Sequence, residues 1–157
     1  MTRRLAVKLG LVLVAALPLG MSACSSTSTS GSAATTTTSS AAADTTLPKG
    51  LVRVTPAEGN RMIDSMGSVL TVIDVRTPAE FAAGHVRGAV NLDLEGGQFS
   101  ADIATLNRSA TYLVYCHTGR RSAIATAAMI AAGFTHLYDV AGGITAWTAA
   151  GLPVVAG

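Results

Sequence analysis

The sequence holds only two cysteines, Cys24 and Cys116, and three histidines in 157 residues. No His, Cys and Asp fall at metal-ligand spacing, so neither a metal nor another cofactor is expected. Basic residues form no run or patch, which argues against nucleic acid as a partner. The longest apolar run, Leu9–Leu19, is broken only by Gly10 and Pro18. It is shorter than the roughly 20 residues that a membrane-spanning helix requires. Residues 25–46 contain no aromatic and no large aliphatic side chain. They cannot bury a core and are expected to be a disordered Ser/Thr/Ala tether. A length of 157 residues calls for little more than one domain.

What is present begins with Arg3, Arg4 and Lys8 ahead of the apolar run, the arrangement of an export signal. Gly20-Met21-Ser22-Ala23-Cys24 ends the run. This segment resembles a bacterial lipoprotein signal, in which small residues precede a cysteine that receives lipid. Thr2 to Lys8 partly resembles a twin-arginine signal. The resemblance implies a signal peptide over 1–23, lipid on Cys24, a tether over 24–46 and a folded domain over 47–157. The protein would then be exported and lipid-anchored, on the outer face of the cytoplasmic membrane or in the periplasm. Ordinary secretion with a free Cys24 is the alternative. The formal charge of +2 also depends on this segment. Removing Arg3, Arg4 and Lys8 from the 11 basic residues leaves eight against nine acidic ones, a net charge near −1. With Cys24 lipidated, Cys116 has no disulfide partner in the chain. It is either an inert core cysteine or a working thiol.

From Leu47 onward strands and helices alternate. Leu51–Val54, Val69–Ile73, Ala89–Leu92, Tyr112–Tyr115 and His136–Val140 read as strands. Thr55-Pro56-Ala57-Glu58 and Thr77-Pro78-Ala79-Glu80 each combine a cap, a proline at the first helical position and a glutamate three residues after the cap. They open helices to about Met66 and through Ala83. Ser100 is expected to cap a helix to about Leu106. Arg121–Ala132 is apolar nearly all round and is expected to be buried on most sides. Gly133 ends it. Gly142-Gly143 leads into a last helix to Ala150, stopped by Gly151. The alternation predicts an α/β domain: a mostly parallel sheet of about five strands with helices on both faces. Sites in such folds form beyond the carboxyl ends of strands, where Cys116 stands.

Cys116-His117-Thr118-Gly119-Arg120-Arg121 joins a strand to a helix. A short turn of this kind can aim several backbone N–H groups inward as an anion nest, and the following helix adds its positive end. A sulfur in that nest would have its thiolate stabilised and available as a nucleophile. Gly119 permits unusual backbone angles. Arg120 and Arg121 are placed to bind an anionic substrate at the rim.

Three ordered segments now carry a resemblance. Asp74 to Phe81 with Gly84 to Asn91, then Cys116 to Ser122, then Val140-Ala141-Gly142-Gly143 with Trp147 are similar to the signatures of single-domain rhodaneses, which are sulfurtransferases. The resemblance spans about Leu51 to Val155; Arg87 departs from it at a position where proline is common. It implies a rhodanese-like fold and a ping-pong reaction. Cys116 takes the outer sulfur of a donor such as thiosulfate, holds it as a persulfide and passes it to cyanide or a thiol, which includes a thiol protein. His117, Thr118, Gly119, Arg120, Arg121 and Ser122 would bind substrate. His117 is also a candidate for the acceptor step. Asp74, Arg76 and Glu80 are expected to be structural, with Arg76 pairing to Glu80 and Asp74 bonding nearby backbone. His85 and His136 are not read as ligands, and Trp147 is read as core. Two other readings stay open. One is a phosphatase or arsenate reductase of the related fold, although that loop has Cys-x5-Arg spacing and residue 122 here is serine. The other is a non-enzymatic sulfur carrier or binding module.

Overall fold

A computed structural model describes residues 47–157. The signal-peptide, tether and Cys24 readings lie outside the described residues. Strands β1 (Leu51–Val54), β2 (Leu70–Asp74), β3 (Ala89–Asn91), β4 (Thr111–Tyr115) and β5 (His136–Val140) form one sheet in the order β1-β5-β4-β2-β3. All four pairings are parallel. The helices are α1 (Pro56–Met66), α2 (Pro78–Ala83), α3 (Phe99–Ala104), α4 (Arg120–Ala131) and α5 (Gly143–Ala149).

The side-chain alternation of β4 shows how the sheet is covered. Tyr112, Val114 and Cys116 enter one core with Phe99 and Ile103 of α3 and Ala125 and Met129 of α4. Leu113 and Tyr115 enter the other with Ile144 and Trp147 of α5, and Met62 and Ile63 of α1 pack against it. A central strand of a parallel sheet is buried on both faces, which is why its sequence is an unbroken apolar run. Trp147 is 1% exposed and its indole N–H donates to the Pro153 carbonyl at 3.1 Å. Gly59 of α1 lies beneath the ring, where a side chain would crowd it.

Both capping boxes form. Thr55 accepts from the Glu58 N–H at 3.3 Å while Glu58 accepts from the Thr55 N–H at 2.8 Å. Thr77 and Glu80 repeat this at 3.4 and 3.2 Å. Two expectations are corrected. Helix α3 starts at Phe99 behind Gln98, with no side-chain cap from Ser100, because burial of Phe99 and Ile103 sets its start. Helix α4 buries only Ser122, Ala125, Thr126 and Met129. Its other face is mostly alanine, small enough to be left in water at little cost, so one stripe against the sheet suffices.

Candidate active site

Register places the site. Asp74 of β2 pairs with Tyr115 of β4, and Val114 pairs with Asp139 of β5. Cys116 is therefore the first residue past the central strand, at the carboxyl edge of the sheet between the turns that follow β2 and β5. Its residue is 1% exposed.

The loop curls around the sulfur. Gly119, at φ 97° in the left-handed region, donates its N–H to Cys116 Sγ at 3.1 Å. Only glycine takes this conformation without strain. The N–H groups of His117, Thr118, Arg120 and Arg121 have no hydrogen-bond acceptor among the described residues. They belong to the loop and the first turn of a 12-residue helix, where unpaired donors and the helix dipole favour an anion. Ser122 is fully buried, and its hydroxyl donates to the Gly119 carbonyl at 3.1 Å. Ser122 and Gly119 thus shape the loop. An open cavity of about 560 Å³ lies outside it, lined by Cys116, His117, Thr118, Arg120 and Arg121 together with Glu80, Leu94, Glu95 and Ile124.

The loop is fastened from behind by α5. Ile144 donates its N–H to the Cys116 carbonyl at 2.8 Å, and Thr145 donates its N–H and hydroxyl to the His117 carbonyl at 3.1 and 2.9 Å. Gly143 makes this approach possible, since a Cβ there would overlap both carbonyl oxygens.

The two arginines differ. Arg120 is exposed and forms no ion pair among the described residues. Arg121 is clamped: its guanidinium donates to both oxygens of Glu80 at 2.7 and 2.8 Å and to Glu95 at 2.9 Å. That bond to Arg121, with the cap at Thr77, holds the Glu80 carboxyl down at about 2. His117 Nδ1 stands 3.7 Å from the same carboxylate.

The expected Arg76–Glu80 pair is not formed. Arg76 instead donates through Nε and Nη2 to Asp74 at 3.0 and 2.6 Å, and through Nη2 to the Gly84 carbonyl at 2.7 Å. Asp74 also accepts the Arg76 N–H at 3.0 Å, the backbone bond expected of it. The reason is reach: Arg76 turns back into the sheet edge, while Glu80 serves the Thr77 cap and faces α4. Arg76 lies 5.8 Å from the Tyr115 ring, whose hydroxyl accepts the Val86 N–H at 3.0 Å. This buried pair supports the turn after β2 and does not line the Cys116 cavity. Beneath α4, Asp139 is buried, with Oδ1 unpaired among the described residues and Arg53 3.4 Å from Oδ2. Burial pushes its carboxyl up, opposed in part by Arg53.

Sequence reasoning did not assign Leu94, Glu95, Ile124, Gly143 or Thr145 to the site. The Gly142-Gly143 pair was the one local signal for the last two; Glu95 carries none, because its partner is 26 residues away.

Residues 55–150 match the model of the rhodanese-like domain. The chain is 37% identical over 98 residues to a thiosulfate sulfurtransferase GlpE of Pseudomonas putida, a match covering 62% of this chain and 84% of that protein. It is 36% identical over 94 residues to thiosulfate sulfurtransferase 16, chloroplastic, of Arabidopsis thaliana, covering 54% and 78%. A probable adenylyltransferase/sulfurtransferase MoeZ of Mycobacterium tuberculosis is 39% identical over 94 residues; the match takes 60% of this chain but spans only 24% of that relative. Among solved structures, a rhodanese-related protein from Thermoplasma volcanium superposes with a TM-score of 0.58 at 31% identity, over 66% of this chain and 96% of that one.

Proposed function

The chain belongs to the rhodanese-like domain family, and on that premise we propose that it is a sulfurtransferase working through a persulfide on Cys116. The observation that carries this reading is Cys116 Sγ in the wall of an open cavity, bonded to the Gly119 N–H at 3.1 Å inside a turn of unpaired N–H donors. Relatives named sulfurtransferases support the reaction class.

In the proposed reaction the Cys116 thiolate attacks the outer sulfur of a donor such as thiosulfate. The donor S–S bond breaks and sulfite leaves with the electron pair. The loop N–H groups and the N-terminus of α4 hold the persulfide anion that remains. An acceptor, cyanide or a thiolate of a small molecule or a protein, then attacks the terminal sulfur and Cys116 leaves as thiolate. Arg120 steers the anionic donor, Arg121 braces Glu80 and Glu95, and His117 stands at the mouth for the acceptor step. A phosphatase reading has less support, because the position where such loops need an arginine is the buried Ser122.

The test is thiosulfate:cyanide turnover by the wild type and Cys116→Ser. The serine variant keeps the fold, since no disulfide is lost, and is expected to be inactive. Substantial remaining activity would exclude Cys116 as the carrier.

We further propose that the domain is exported and anchored to the membrane by lipid on Cys24, with 24–46 as tether. The support is the charged start, the short apolar run and the small residues before Cys24. Cys24→Ala is expected to move the protein to the soluble fraction or block its maturation. Unchanged membrane association with no lipid mass on Cys24 would refute the anchor.

A further inference from the structure

A pocket that only captured dianions would leave its cations unopposed; here Arg120 forms no ion pair among the described residues, but Arg121 is bonded to two carboxylates. Glu80 and Glu95 both line it, and both are bonded to Arg121, the more buried of its two arginines. Their two negative charges formally offset Arg120 and Arg121. Glu95 is held there by the loop itself. Leu92 and Leu94 donate to the carbonyls of Asp74 and Val75 at 2.9 and 3.4 Å, and the Glu95 N–H bonds the Asp93 carboxylate at 2.9 Å. The same loop brings Leu94 to the cavity wall, near Ile124 of α4. Ile124 is 55% exposed, with its aliphatic side chain open to the cavity. The space is far larger than an oxyanion alone would fill.

We infer that the Cys116 site favours singly charged sulfane donors carrying an apolar organic group over the thiosulfate dianion, with Glu95 as the specificity-determining residue. This rests on the sulfurtransferase reading. Glu95 repels the second negative charge of a dianion, while Leu94 and Ile124 cover the organic group. The chemistry is unchanged and balanced. The Cys116 thiolate attacks the sulfane sulfur of an organic thiosulfonate, the S–S bond breaks, the sulfinate leaves with the electron pair, and Cys116 keeps the sulfur as a persulfide anion.

The test compares kcat/KM for thiosulfate and benzenethiosulfonate, with cyanide as common acceptor and each rate normalised to that donor's own rate with a free thiol. Wild-type protein is expected to prefer benzenethiosulfonate. Glu95→Gln should shift the ratio toward thiosulfate by about threefold, the effect of one charge on one further charge at roughly 6 Å in a water-like medium. Added salt should diminish that shift. Ile124→Ala should shift the ratio away from benzenethiosulfonate by about threefold, from lost apolar contact. A wild-type preference for thiosulfate, or Glu95→Gln moving both donors alike, would overturn the selectivity while leaving sulfur transfer intact. If neither donor leaves a sulfur on Cys116 by intact mass, the sulfurtransferase reading itself fails and the selectivity falls with it.

Discussion

Gly143 sits so close to the cysteine loop that a methyl group on it would overlap the carbonyl oxygens of Cys116 and His117. Its φ of 58° is also in the left-handed region. The α5 start and the nucleophile loop are therefore built as one unit, with Ile144 and Thr145 donating to those carbonyls.

Gly143→Ala should cost the roughly 1–2 kcal/mol of a left-handed non-glycine residue, and the overlap should add to it by displacing the loop. We expect a lowered melting temperature and a larger loss of sulfur transfer than stability alone explains. Gly151→Ala is the control: its φ is 70° but nothing stands within 4 Å of the added Cβ. It should show the backbone cost with sulfur transfer retained. Equal effects of the two changes would mean that the Gly143 contact does not shape the loop.

The Asp74–Arg76 pair gives a second expectation. Both groups are buried, and Arg76→Met leaves the carboxylate without its partner, which should cost about 3–5 kcal/mol in urea unfolding. Asp74→Asn combined with Arg76→Met should recover part of that loss, because the stranded charge is gone. A double variant no better than Arg76→Met would show that the Arg76 bond to the Gly84 carbonyl, not the ion pair, carries the stability.

These relationships mark what the sequence could and could not disclose. The strands, both Thr-Pro-Ala-Glu caps and the position of Cys116 were legible because each is fixed by neighbours within a few residues. The Asp74 backbone bond is equally local. The sequence suggests that Arg76 pairs with Glu80, but the sheet edge draws Arg76 to Asp74 and leaves Glu80 for Arg121, 41 residues away. That separation leaves no local trace. Helix α4 reads as apolar nearly all round because alanine counts as apolar, whereas its small size lets it face water. Glu95, Leu94 and Ile124 converge only because the turn after β3 is tied to the end of β2.

Titration should separate two carboxylates. Asp139 is pushed up by burial, so it opposes folding as pH rises from its unfolded value through its folded one. Asp139→Asn should be at least as stable as wild type near neutral pH, and its advantage should vanish in acid where both forms are uncharged. Glu80 behaves oppositely. Held at about 2 against an ordinary 4.5, it stabilises the fold fully above 4.5 and loses that contribution as pH falls toward 2. The deficit of Glu80→Gln should accordingly close over that window. Thermal melts across pH decide both; a pH-independent difference in either case would contradict its assignment.

The arginines should part company. Arg120→Ala should raise KM for thiosulfate by up to about tenfold with stability unchanged, as expected for one charge-assisted contact at an exposed rim, and salt should reduce the effect. Arg121→Ala should lower melting temperature as well as activity, since it releases Glu80 and Glu95 into the cavity. Kinetics and melts of the two variants side by side decide this. Identical behaviour would mean that the clamp on Arg121 does not distinguish it from Arg120.

Intact mass of the full chain after exposure to a sulfane donor tests Cys116 most directly. Wild-type protein should gain one sulfur atom, lose it on addition of cyanide, and gain none when Cys116 is replaced by serine. No gain on the wild type, together with turnover of a phosphate ester, would contradict sulfur transfer and point to the phosphatase chemistry of the related fold.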